Sequence, residues 1–157
     1  MSEFATFHIS KEQETAKFAR KLAPYLKEKD VLFLEGTLGA GKTLFARNLI
    51  QQLCGQDIEV PSPTFNLLLT YDSPAGEIYH YDFYRLEDPE EVWELDLEDA
   101  LEDGICLMEW VSQLEDLAPE GALTVRLEIP EGEEGRRIIH LSGDESWKAR
   151  LADIGAV

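Results

Sequence analysis

Cysteine is almost missing from this chain: two residues in 157, Cys54 and Cys106, each inside an apolar stretch. That argues against a disulfide framework or a thiolate metal site and reads as two buried thiols. No apolar run approaches the roughly 20 residues of a membrane span, and the N-terminus lacks the profile of a secretory signal. The expectation is a cytoplasmic protein with no membrane partner. Basic residues are scarce, 14 against 32 acidic ones, for a net charge of −18. They are absent from residues 87–120, which hold 14 acidic side chains, whereas residues 1–54 hold 8 basic and 6 acidic. Neutralising phosphates takes Lys and Arg, so tight direct binding of RNA or DNA is not expected. The acidic block fits either a solvated face or a surface that docks onto a basic partner. Internal repeats, low-complexity tracts and linkers are also absent. With 44% hydrophobic residues, the whole chain, 1–157, reads as a single domain with one core.

What is present begins with Gly36-Thr37-Leu38-Gly39-Ala40-Gly41-Lys42-Thr43, a full match to the phosphate-binding pattern G-x-x-x-x-G-K-[ST]. The glycines let the backbone curl so that its N–H groups face a β-phosphate. Lys42 places a cation between the β- and γ-phosphates, and the Thr43 hydroxyl is suited to Mg²⁺. The following helix aims its positive end at the same anion. Context supports the motif. Val31–Glu35 is an apolar, strand-like run, and in residues 43–55 Phe45, Leu49 and Leu53 recur at helical spacing before Gly55. The implied ligands are ATP or GTP with Mg²⁺.

The rest of the chain punctuates clearly. Residues 10–28 predict an amphipathic helix capped by Ser10 and Gln13, with Phe18, Leu22 and Leu26 inward. Residues 58–60 predict a short strand. Residues 65–71 and 77–84 predict a hairpin across Asp72–Gly76. Asp88-Pro89-Glu90-Glu91 starts a helix, and 96–102 a second. Residues 104–110 predict a buried strand, 122–129 and 136–142 a hairpin across Pro130–Gly135, and 146–153 a short helix. A phosphate-loop unit with two hairpins predicts an α/β fold, a single three-layer P-loop NTPase domain with a mixed parallel/antiparallel sheet.

A phosphate-loop enzyme needs a second acidic group to hold Mg²⁺ through water or to orient the attacking water. Glu109 ends the apolar run Ile105-Cys106-Leu107-Met108. Asp82 lies among aromatics in Tyr79-His80-Tyr81-Asp82-Phe83-Tyr84-Arg85. The competing readings are a surface acid for Glu109 and an Asp82–Arg85 ion pair for Asp82. Ser62 and Thr64, in a proline-stiffened loop, fit a γ-phosphate sensor or a capped turn. His80 reads as a packing or structural hydrogen-bonding residue before a chemical one. Trp110 either shields the site or fills the core, and Trp93 either anchors a partner or packs.

These pieces together resemble the bacterial TsaE (YjeE) family, small P-loop ATPases of tRNA threonylcarbamoyladenosine biosynthesis. The resemblance rests on the phosphate loop, Ser62-Pro63-Thr64-Phe65, Tyr79-His80-Tyr81-Asp82-Phe83-Tyr84-Arg85-Leu86 and Leu107-Met108-Glu109-Trp110, in the family's order and spacing over roughly residues 8–143. It implies weak ATP hydrolysis alone and stronger hydrolysis with a heterodimer of the TsaD and TsaB proteins. That complex modifies adenosine 37 of tRNAs reading ANN codons, so tRNA is an indirect substrate. It also implies that Lys42 contacts phosphates, that Thr43 and Glu109 form the Mg²⁺ site, and that Asp82 is a second acid at the catalytic centre. Trp110 is implied to affect function beside Glu109. Glu12, Thr15 and Arg137 match family positions near the nucleotide base. Leu44 departs from the second threonine common after Lys-Thr. Two other readings stand beside this one: a small-molecule P-loop kinase, which would want arginines in a lid, and a nucleotide-gated adaptor that does not hydrolyse.

Overall fold

The computed structural model describes residues 2–37, 39–132 and 135–155. Leu38 of the phosphate loop, and residues 133 and 134 in the second expected hairpin turn, lie outside the described residues. The elements run β1 (Ser2–Ile9), α1 (Glu12–Leu22), β2 (Val31–Glu35), α2 (Lys42–Cys54), β3 (Leu68–Tyr71), β4 (Ile78–Asp82), α3 (Leu97–Asp103), β5 (Ile105–Glu109), β6 (Leu123–Glu128), β7 (Arg137–Gly143) and α4 (Glu145–Arg150). Short 3-10 helices at Ala23–Tyr25, Pro89–Leu95 and Val111–Leu117 complete the chain.

The seven strands form one sheet in the order β1-β7-β6-β2-β5-β4-β3. The centre is parallel: β2 lies between β6 and β5, and β5 pairs with β4 in the same sense. The edges are antiparallel, β7 on β6 and β1 on β7 at one side, β3 on β4 at the other. Alternation along β2 separates the two faces. Leu32 and Leu34 join a core with Phe18, Leu22, Phe45, Leu49 and Trp147 from α1, α2 and α4. Val31 and Phe33 join Tyr81, Phe83, Val92, Leu97 and Leu114 on the opposite face. The mixed, layered α/β sheet expected from the sequence is the observed one.

Several boundaries differ for local reasons. The first helix ends at Leu22 and tightens into a 3-10 turn, because Pro24 cannot donate an amide to continue it. Its N-terminus begins at Glu12 rather than after Ser10, so Glu14 stands where Gln13 was expected to cap. The Glu14 carboxylate accepts from the Ser10 and Lys11 amides at 2.8 and 3.2 Å. Residues 58–60 are not a strand; they find no ladder partner, and Gln51 Nε2 donates to the Ile58 carbonyl at 2.9 Å instead. The helix started by Asp88 is 3-10, and Asp96 in the left-handed region (φ 56°) divides it from α3. Strand β1 was not expected at all. Both cysteines are free and buried.

Candidate functional site

The site forms where the parallel strands end. β2 delivers the chain to Gly36, whose φ of 148° and close approach leave no room for a side chain. A Cβ there would stand 2.7 Å from the Leu127 carbonyl of β6. Gly39 and Gly41 also hold positive φ, 83° and 105°, and α2 begins immediately after with Lys42. This is a strand–loop–helix unit with its backbone free to curl around an anion. Thr43 follows on the first turn of α2 and is exposed.

Strand order does the rest. β4 and β5 are parallel neighbours in a register that pairs Asp82 with Glu109, and β2 sets Leu34 against Glu109. Two carboxylates 27 positions apart in the chain therefore stand side by side at the C-terminal ends of two interior strands, both buried. Asp82 Oδ2 accepts from Thr64 Oγ1 at 2.9 Å and Oδ1 from the Tyr84 amide at 2.9 Å. Ser62 Oγ lies 2.7 Å from Thr64 Oγ1. The Ser62–Thr64 loop is thus tied to the acid by hydrogen bonds. The Asp82–Arg85 ion pair does not form; the Arg85 guanidinium lies over the exposed Phe65 ring, 4.3 Å from its centre. Glu109 Oε2 meets His80 Nε2 at 2.8 Å.

Lys42 is buried, and its Nζ rests 4.0 Å from the centre of the Trp110 ring. Burial pulls its pKa down, while the charges of Glu109 and then Asp82 push back up. Trp110 holds a left-handed backbone (φ 57°) directly after Glu109, an uncommon conformation for a bulky residue, and its ring also packs on Tyr84 at 4.9 Å. A cavity of about 600 Å³ opens here, with Lys42, Thr43, Ser62, Thr64, Asp82 and Glu109 in its wall.

A second cavity of about 380 Å³ adjoins the loop, walled by Gly39–Gly41 together with Glu12, Thr15 and Arg137. The three residues expected near a nucleotide base thus meet on one side of the phosphate loop. Arg137 is also bonded to the loop itself: Nε donates to the Ala40 carbonyl at 3.1 Å and Nη2 to Gly39 at 3.2 Å.

Two residues of this site carry no signal in the sequence motifs. Arg47 lies one helical turn beyond Thr43 and lines the larger cavity, a placement that i, i+4 spacing on α2 could have given. Tyr84 lines it too. His80, expected to pack or to make a structural hydrogen bond, makes that bond to Glu109. Among the described residues, no three His, Cys, Asp or Glu side chains converge as a metal cage. The donor set fits Mg²⁺ all the same, since that ion is ordinarily held by one or two carboxylates and substrate phosphates. Among the described residues, no helix is long and apolar enough to cross a membrane.

Comparison with known proteins agrees with this architecture. Residues 9–139 match the family model described as threonylcarbamoyl adenosine biosynthesis protein TsaE. The chain is 46% identical over 121 residues to the tRNA threonylcarbamoyladenosine biosynthesis protein TsaE of Rickettsia felis, covering 77% of this chain and 71% of that one. It is 37% identical over 144 residues to the protein of the same name from Bacillus subtilis, covering 91% and 82%. Its fold is similar to the crystal structure of Bacillus subtilis YdiB, with a TM-score of 0.78, 25% identity, and coverage of 98% and 96%. A family model spanning most of the chain, relatives at this identity and the matching fold lead to one conclusion: the chain belongs to the TsaE family.

Proposed function

We propose that this protein is a Mg²⁺-dependent ATPase that supports formation of threonylcarbamoyladenosine in tRNA, acting through a complex of the TsaD and TsaB proteins. The observation that carries the ATPase reading is the pairing of Asp82 with Glu109 beside Lys42, at the mouth of the phosphate loop. The family and its relatives' names support the tRNA pathway. The resemblance supports the partners.

Each residue has a separable task in this reading. The loop glycines expose backbone amides to the phosphates, and Lys42 adds a cation. Thr43 and Glu109 would hold Mg²⁺, which when bound neutralises charge that develops on the transferred phosphoryl group. Asp82, held by Thr64 and the Tyr84 amide, would be the second acid and would orient the attacking water. The Ser62–Thr64 loop is tied to that acid, so a γ-phosphate that engages the loop would be felt at Asp82. Glu12, Thr15 and Arg137 would bound the nucleoside side. Among the described residues, Lys42 and Arg47 are the cations in the cavity wall, a sparse set that suits slow hydrolysis alone and completion by a partner.

The test is Mg²⁺-ATP hydrolysis by the purified chain, alone and with the TsaD–TsaB pair. The expected result is stimulation by the pair, falling by about 100-fold or more in Glu109→Ala. Undiminished nucleotide binding without any stimulation would overturn the ATPase reading. A non-hydrolysable ATP analogue that sustained repeated rounds of tRNA modification would instead favour a nucleotide-gated adaptor.

A further inference from the structure

His80 carries none of the tasks above. It sits on β4, 2% exposed, and pairs across the ladder with Leu107, one diagonal step from Glu109. Its Nε2 lies 2.8 Å from Glu109 Oε2, and its Nδ1 is buried with no hydrogen-bond partner. Asp82 lies two residues on, so both side chains leave the same face of β4. A carboxylate that is to serve as a metal ligand accepts, so Nε2 is the donor in this contact. The opposite tautomer would set a lone pair against the carboxylate. It would also orphan a buried N–H, which is rarer in proteins than an under-satisfied acceptor.

We infer that His80 is a positioning residue for Glu109. Its Nε2–H holds Oε2 and leaves Oε1 as the oxygen free to face the cavity shared with Lys42 and Thr43. A glutamate side chain has three rotatable bonds, so burial at a strand end does not by itself fix which oxygen faces the cavity. One charge-assisted hydrogen bond from a fully buried ring fixes which oxygen is offered and in what direction. His80 touches neither nucleotide nor metal in this scheme; it acts through Glu109. The inference rests on the Mg²⁺-nucleotide role proposed for Glu109.

Two substitutions separate positioning from packing. His80→Gln keeps an N–H donor at the position of Nε2. His80→Asn, of similar polarity, keeps one only at the position of Nδ1, short of Glu109. The readout is Mn²⁺ affinity of the ADP complex by electron paramagnetic resonance, beside metal-free ADP affinity. His80→Asn is expected to weaken Mn²⁺ binding by about 10-fold or more, the usual effect of losing a partner behind a metal ligand. His80→Gln should stay close to wild type, and metal-free ADP affinity should not change. In a Glu109→Gln background, His80→Asn should add nothing. Equal Mn²⁺ affinity in wild type and His80→Asn would overturn the inference while leaving the ATPase reading intact. Failure of the wild type to bind Mn²⁺-ADP would sink the ATPase reading itself. Where both variants unfold, ¹⁵N resonances of the wild-type imidazole decide: an unprotonated Nε2 overturns the inference, and a protonated Nε2 supports it.

Discussion

Single atoms decide much of this site. Gly36 is the sharpest case, because a methyl group there meets the Leu127 backbone carbonyl at 2.7 Å and neither strand can yield easily. Gly36→Ala is expected to cost about 1–3 kcal/mol from strain and the positive φ, read as a lower urea midpoint. Lys42 has the opposite character. Burial already disfavours its charge, so Lys42→Met should lose nucleotide binding without lowering the melting temperature. A drop of several degrees would show that its contact with Trp110 matters more than its desolvation. The sequence made the phosphate-loop residues legible because their spacing is local. It did not reveal that Arg137 bonds the Gly39 and Ala40 carbonyls, or that His80 meets Glu109. Those contacts depend on strand order, which no local pattern encodes.

At the scale of elements, the strand before the phosphate loop and the helix after it were readable. β2 is an unbroken apolar run, and Gly55 stops α2 in the left-handed conformation (φ 73°). β1 escaped because its alternation is blurred: it lies at the sheet edge with most residues exposed or half-buried, and it pairs with β7 more than a hundred residues away. The central strands carry a pH consequence. Burial pushes the Cys106 thiol on β5 from 9.0 up to about 12 and the Tyr79 hydroxyl on β4 from 10.0 up to about 12. Both groups are neutral when protonated, so the folded state keeps its proton where the unfolded chain has lost it. Stability is then full below pH 9 and falls as pH climbs toward 12. Urea midpoints across that range should decline, and Cys106→Val should flatten the decline. The same burial keeps Cys106 from alkylating agents in the native protein, whereas denatured chain should react readily.

Charge is a property of the whole molecule. At −18 the folded chain repels itself, most strongly where Pro89–Leu95 and α3 gather acidic side chains with no basic ones between. Added salt should raise the melting temperature, because at 0.1 M repulsion between exposed charges more than about 10 Å apart is largely screened. A melting temperature indifferent to salt would mean that these carboxylates are spaced widely enough to ignore one another. The net charge was plain in the sequence, but its concentration on the face opposite α1 and α2 was not. Topology has one more consequence, and it concerns synthesis. The loop that would grip the nucleotide leaves the ribosome early, yet the strands flanking β2 are β5 and β6, and Arg137, bonded to that loop, comes later still. A nascent chain that has exposed only its first half therefore carries the glycine motif with neither its neighbours nor its carboxylate at Glu109. In the proposed role, nucleotide would find its full set of contacts only after translation has all but finished, too late to guide the first half of the chain toward its fold.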